Sequence, residues 1–218
     1  MTNPNYVYEG LRSRILSGHY AVREKLTEES IAKEYNTNRS RVRTAFLKLV
    51  DDGLLESEPY KGVTIKEISL KEVIEILAIR ELLEVHAIKE ACRNISSEQL
   101  RGLESVLYSM QQAIDSKDFE IYSKLNTSFH EIIYKAAAQA TLYNVLISLK
   151  TRLMRYQYKI ALIPGRAEKS LQEHKNIYQA LVERDEKAAE THVNEHIDHL
   201  REHIVQNRQL LEITGGLK

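Results

Sequence analysis

The residues in this sequence best suited to chemistry are its histidines, and seven of the eight lie after residue 85. Asn126 and His130 stand four apart in NTSFHEII, so on a helix both project from one face. His174 falls in QEHKNIYQAL and His196 in HVNEHIDHL. Neutral imidazoles from three helices meeting inside a bundle make a divalent-metal site, since imidazole suits Zn, Ni, Fe and Cu. Two plainer arrangements fit the same letters. A lone histidine is more often a surface group or a hydrogen-bonded core residue. His192 and His196 also form an HxxxH pair that could hold a metal without the others. Arg80, Arg152 and Arg155 are positioned to clamp a carboxylate ligand, because a guanidinium pairs two oxygens at once. Arg80 with Glu84 also has the i,i+4 spacing of an ordinary ion pair. Tyr134, Tyr156 and Tyr158 could line a cavity beside them.

A second cluster is purely electrostatic. Between Asn36 and Lys48 stand Arg39, Arg41, Arg43 and Lys48, with no acidic residue, and Asp51–Asp52 follows. Arg39 and Arg43 share one helical face, opposite an apolar stripe of Val42, Phe46, Leu47 and Val50. A helix whose N-terminal part carries such side chains can enter the major groove of DNA, where arginine pairs the acceptors of guanine or of phosphate. The bland alternative is a solvated basic face.

The elements that must position these residues follow from composition. In 218 residues there are eight glycines and three prolines, too few for a sandwich or barrel and suited to long helices. Lys+Arg and Asp+Glu are both 31, so net charge neither proposes nor excludes a polyanion. The single cysteine, Cys92, rules out an internal disulfide framework and a cysteine zinc cluster, and reads as a small buried hydrophobe. No run of apolar residues approaches a membrane span and no signal peptide is evident, so the expected location is cytoplasmic, with no membrane partner.

Half of the glycines and two of the prolines precede residue 63. This shift predicts a turn-rich N-terminal unit over 1–66, a linker at 67–69 and an all-helical domain over 70–218. In the first unit the pattern gives a helix from Val7 to Leu16 closed by Gly18. A helix capped at Thr27 follows, then the turn Asn36–Asn38, a helix from Arg39 to Gly53, and strands at 54–57 and 62–65 around a turn at 58–61. That order is a winged helix-turn-helix. The second unit reads as six helices: 68–94, one capped at Ser96 or Ser97, 118–138, 142–162, 168–183 and 186–211. Pro164-Gly165 forms a turn and Asp185 a cap. The fold class is therefore mainly α, a winged helix-turn-helix followed by an antiparallel helical bundle.

Residues 6–66 resemble the DNA-binding domain of GntR-type transcription regulators, through VYEGLRSRILSGHY, KLTEESIAKEYNTNRSRVRTAFLKLVDDGLLESE and the wing KGVTI. In Asn38-Arg39-Ser40-Arg41-Val42-Arg43, Arg41 stands where the family usually has proline, and Ala21-Val22-Arg23 replaces a usual Pro-Gly. The resemblance implies DNA contacts by Arg39, Ser40 and Arg43, with the wing around Gly62 near the minor groove, and the departing Arg41 adds a further charge to this DNA-binding set. Residues 70–211 resemble the FCD ligand-binding domain of the FadR subfamily. Phe129-His130, Glu173-His174, Asp185 and His196 follow its order and spacing. The resemblance implies a metal held by Asn126, His130, His174 and His196, with Asn126 in the family's Asp position, and a carboxylate effector on the metal.

The resulting expectation is a ligand-responsive regulator, not an enzyme. It binds a double-stranded DNA operator as a homodimer and senses a small organic acid through a divalent metal, Zn or Ni. Two alternatives stand beside it. A metal-dependent hydrolase would use the same histidines but needs a general base, and Glu173 and Glu195 sit one residue from histidines and so point elsewhere. A helical regulator with a non-functional metal site is kept open by Asn126.

Overall fold

The computed structural model describes residues 5–58 and 62–211. Among these, nine helices and a three-stranded sheet follow one another in chain order. Helix α1 (Tyr6–Leu16) buries Val7, Leu11 and Ile15 on one stripe and packs on α3. Strand β1 (Lys25–Leu26) precedes α2 (Glu28–Glu34), whose cap Thr27 accepts a hydrogen bond from the Ser30 amide. Asn36 supplies the left-handed residue of the turn (φ +46°), and Asn38 then caps α3 (Arg39–Asp51) by accepting from the Arg41 amide at 3.0 Å. Strands β2 (Leu55–Glu58) and β3 (Gly62–Ile65) pair antiparallel, with the sheet ordered β1-β3-β2. The sequence pattern missed β1 because two residues cannot display a period-two alternation. The expected turn at 58–61 lies outside the described residues apart from Glu58, which ends β2. Gly62 holds φ +88°, and a Cβ there would stand 3.3 Å from the Leu26 carbonyl, so β1 and the wing approach each other through a glycine.

The remainder is a six-helix bundle. Helix α4 (Leu70–Asn94) packs against α9 (Glu186–Gln206), α6 (Phe119–Ala136), α7 (Ala140–Ala161) and α8 (Arg166–Glu183). Helix α5 (Ser97–Asp115) closes the other side, on α6 and α8. Ser96 and Gln99 form a reciprocal capping box at the start of α5, and Asp185 caps α9 by accepting from the amides of Lys187 and Ala188. Helix α9 ends at Gln206, short of the expected Leu211. Leu211 is nonetheless fully buried, so the apolar pattern outruns the helix because the chain turns and still packs inward. Cys92 is buried in this core, which pushes its thiol up to about 11 and keeps it protonated at neutral pH.

Two separate apolar cores result, one drawn from residues 7–65 and the other from residues 68–211. They meet along α7. Arg152 pairs with Glu72, to which Lys66 also donates at 3.0 Å, and its stem lies against Gly53 just after α3. Arg12 of α1 reaches the Met154 sulfur at 3.8 Å.

Candidate functional site

His130 on α6, His174 on α8 and His196 on α9 converge in the bundle interior, each 5% exposed or less. Each offers one ring nitrogen, and the three atoms lie within 4.8 Å of one another. The Nε2 atoms of His130 and His174 are 3.2 Å apart. The outer nitrogens of His196 and His174 have polar partners, and that of His130 lies near a carboxylate. His196 Nδ1 sits 2.7 Å from the Glu173 carboxylate, His174 Nδ1 3.5 Å from the Ser170 hydroxyl, and His130 Nδ1 3.6 Å from Glu84. This is the arrangement that orients imidazoles toward a metal, with an outer group fixing the ring and leaving the inner lone pair free. Burial pushes all three imidazoles below their usual range, aided for His130 and His174 by the nearby Lys150 charge, so they stand neutral and able to ligate. Among the described residues these three histidines form the metal-capable cluster, and their donor set fits a divalent ion.

Asn126 lies one turn before His130 and lines the same cavity, whose free volume is only about 30 Å³. Its Oδ1 is buried and accepts no hydrogen bond. An amide oxygen without a donor is uncomfortable in a packed interior and is matched by a cation placed beside it. The cavity is further lined by Tyr122, Lys150, Gln157, Arg166 and Ser170, and by Arg80.

The other expected site residues divide. Arg80 is 1% exposed and bonds Glu84 through Nε at 2.8 Å, so the i,i+4 pair exists, but in the core at the cavity wall rather than on the surface. Arg152 is not brought to the cavity. It faces the N-terminal unit, because residue 152 falls on the opposite side of α7 from Lys150 and Gln157. The side chains of Arg155 and Tyr158 lie outside the described residues. Tyr134 lies tilted against His130 with ring centroids 5.9 Å apart, and Tyr156 borders the domain junction, so the tyrosine on the cavity wall is Tyr122 instead. His192 Nδ1 faces Glu195 at 3.1 Å near the surface, whereas His196 turns inward to Glu173.

Glu173 corrects the expectation that it points away. It reaches the outer nitrogens of His196 and of His199 (3.0 Å) and forks with Arg166 at 3.1 and 3.2 Å. Burial alone would raise its carboxyl, but His196 and Arg166 outweigh that and hold it at about 2. It is an ionised buttress, occupied on every side, and not a free general base. Lys150 and Arg166 were not anticipated. The signal for Lys150 was present, since with Leu146 and Leu153 it shares the buried stripe of α7, a position that an apolar residue would fill. Arg166 and Glu173 are seven apart, two turns along one face of α8.

At the other end of the molecule, Arg39, Ser40, Arg41 and Arg43 are all exposed on the first turns of α3, while Val42, Ala45, Phe46 and Leu49 are buried. Glu28 at the start of α2 bonds Arg43 side-on, Oε1 to Nε at 2.7 Å and Oε2 to Nη2 at 3.0 Å, and lies 3.5 Å from Arg39 Nε. Arg43 Nη1 takes no part in this fork.

Comparison with known proteins places this geometry. Residues 4–65 match the bacterial regulatory proteins of the gntR family, and residues 75–199 match the FCD domain. The chain is 31% identical to the HTH-type transcriptional regulator YdhC of Bacillus subtilis (strain 168), over 90% of this chain and 88% of YdhC. The chain is a GntR-family transcription regulator with an FCD domain. This regulator is also 28% identical to the HTH-type transcriptional repressor RspR of Escherichia coli (strain K12), over 93% of its own length and 89% of that protein. Its fold matches that of the E. coli protein McbR/YncC with a TM-score of 0.79, covering 97% and 98% of the two chains at 24% identity. These families and relatives are DNA-binding regulators, not enzymes, so the hydrolase alternative falls away. No helix among the described residues is long and apolar enough to cross a membrane.

Proposed function

We propose that this regulator is a cytoplasmic homodimer that binds a two-fold operator and releases or rearranges on it when a small carboxylate enters the FCD cavity. The proposed division is a DNA-binding unit over 1–66, a linker at 67–69 and an effector-binding and dimerisation unit over 70–218. One observation carries the sensing half of this reading. Three buried, neutral imidazoles aim their inner nitrogens at one point, beside an unpartnered amide oxygen and a wall of buried cations. His130, His174 and His196 would hold a divalent metal, Zn or Ni, with Asn126 as a neutral fourth donor. The ion would supply open coordination positions for a carboxylate oxygen. Asn126 leaves the ion with one negative charge fewer than an aspartate would, which lowers metal affinity and increases the attraction for an anion.

On the DNA side, the exposed fork of Arg43 with Arg39, Ser40 and Arg41 would contact the major groove, and the wing at Gly62 the adjacent minor groove. A helix-turn-helix dimer reads inverted half-sites, so protein and operator share a two-fold axis. An effector changes operator affinity only so far as it binds one arrangement of the two heads better than the other.

The test is metal retention. Full-length protein supplied with Zn or Ni and then desalted is expected to keep one ion per chain. His174→Ala is expected to lose that ion and the effector response while keeping basal operator binding. Protein that keeps no ion overturns the metal-sensing reading. Retention that survives His174→Ala but depends on His192 assigns the ion to the HxxxH pair.

A further inference from the structure

Two of the arginines proposed to read DNA are already engaged. Glu28, in the first turn of α2, lies between them. Its carboxylate accepts from Arg43 Nε at 2.7 Å and Nη2 at 3.0 Å, and its Oε2 lies 3.5 Å from Arg39 Nε. The Glu28 side chain is 21% exposed against 66% for each arginine, so the acid is the fixed partner and the arginines project past it. Thr27 caps α2 directly before Glu28, accepting from the Ser30 amide at 3.1 Å, and the free amides of a helix start favour a carboxylate in the first turn. The hydrogen bond and charge of Arg43, with the charge of Arg39, outweigh partial burial and hold the Glu28 carboxyl below its usual range, so it is ionised at neutral pH. No acid stands between Asn36 and Lys48 in the sequence, so it is α2, across the turn, that brings a negative charge into this cluster.

The shape of the fork decides what Arg43 can still do. A guanidinium carries five N–H groups. Side-on pairing with Glu28 takes two of them, the one on Nε and one on Nη2. The end-on pair, one N–H each from Nη1 and Nη2, lies outside that fork, and such a pair spans O6 and N7 of a guanine. Glu28 therefore spares a base-reading edge and fixes the plane of the planar group that carries it. Toward phosphate it has the opposite effect. Backbone attraction is a matter of charge, and Glu28 offsets positive charge that a phosphate would meet at Arg39 and Arg43. We propose that Glu28 is a positioning residue that sets sequence discrimination, by orienting Arg43 toward a base while weakening the hold of the head on phosphate alone. This rests on the reading of α3 as the recognition helix. Specificity is a difference between two affinities, and Glu28 acts on both, supporting the specific one and lowering the non-specific one.

The experiment uses the full-length protein and two duplexes of equal length. One is selected by the wild-type protein from a randomised library, and the other is its scrambled counterpart. Anisotropy titrations at one salt concentration give the ratio of the two affinities. Glu28→Ala is expected to bind the scrambled duplex about threefold to tenfold more tightly, the effect of one surface charge at contact range. It is expected to bind the selected duplex no more tightly than wild type does, so the ratio falls. Glu28→Asp keeps the charge on a shorter stem and is expected to bind the scrambled duplex as wild type does. A role confined to folding would instead move both duplexes together and lower the thermal melt. If Glu28→Ala does not fold, Glu28→Gln replaces it with the same expectation. A ratio that is unchanged or higher in the folded variant overturns the proposal, and an aspartate variant that binds the scrambled duplex as tightly as the alanine variant overturns the part assigned to charge. A wild-type protein that enriches no sequence overturns the recognition reading itself, and the role of Glu28 with it. Discrimination that is present in wild type and survives the loss of Glu28 removes only Glu28, so the two readings fail at different steps.

Discussion

Position 126 is where a single side chain most sharply sets the chemistry of the bundle. Asn126 presents a buried oxygen with no donor, one helical turn from His130. Replacing it with aspartate adds a charged oxygen at the same reach. Asn126→Asp is expected to slow metal loss to a chelator several-fold, measured by competition with a chromogenic dye. An unchanged rate would remove residue 126 from the coordination sphere. At the DNA end, the comparable residue is Arg43. Glu28 occupies one edge of its guanidinium, which leaves Nη1 outside that fork for the proposed contact with DNA. Arg43→Ala is expected to weaken operator binding about tenfold to a hundredfold if that group pairs with a guanine. Fluorescence anisotropy on operator variants separates the cases. A loss confined to one base position marks a base contact, and a uniform loss marks a phosphate contact.

Helix α7 is the element that touches both functional regions. Lys150, Gln157, Ile160 and Ala161 face the cavity, while Arg152 and Met154 face the DNA-binding unit through Glu72, Gly53 and Arg12. A rigid helix carries any shift at one face to the other, because its side chains are fixed to one backbone. Arg152→Ala is expected to leave metal content and effector affinity within twofold of wild type and to reduce the effect of effector on operator affinity. Coupling that is unchanged in the variant would place the connection elsewhere, most directly along α4, which carries both Glu72 and the cavity residue Arg80. Gly53 belongs to the same contact. It holds φ +72°, and a Cβ there would stand 3.1 Å from the Arg152 stem, so substitution would disturb both the turn and the junction.

For the whole molecule, zero net charge means that DNA affinity must come from a local patch. The exposed arginines at the start of α3 are the patch proposed here, and phosphate contacts by them would release counter-ions on binding. Operator affinity is therefore expected to fall steeply with salt. Arg41→Ala is expected to make the slope of log affinity against log salt shallower by about one for each DNA-binding head. A titration series between low and physiological salt measures this. A slope that does not change would take Arg41 off the phosphate backbone.

The sequence by itself determined the helices, the winged head and the histidine trio. Periodicity and caps are local properties, so Thr27, Asn38, Ser96 and Asp185 marked helix starts without knowledge of any neighbour. Spacing put Asn126 and His130 on one face, and resemblance joined them to His174 and His196. What the sequence could not determine is which face of each helix meets which partner. Arg152 and Lys150 are two residues apart on one helix, and only the packing of α7 between the bundle and the DNA-binding unit sends one to the junction and the other to the cavity. Glu173 likewise acts across helices, on His196 and His199 of α9, which no spacing along α8 announces. Even the two-residue strand β1 exists only because β3 supplies its hydrogen bonds. These features depend on contacts between residues far apart in the chain, and such contacts exist only once the elements have packed.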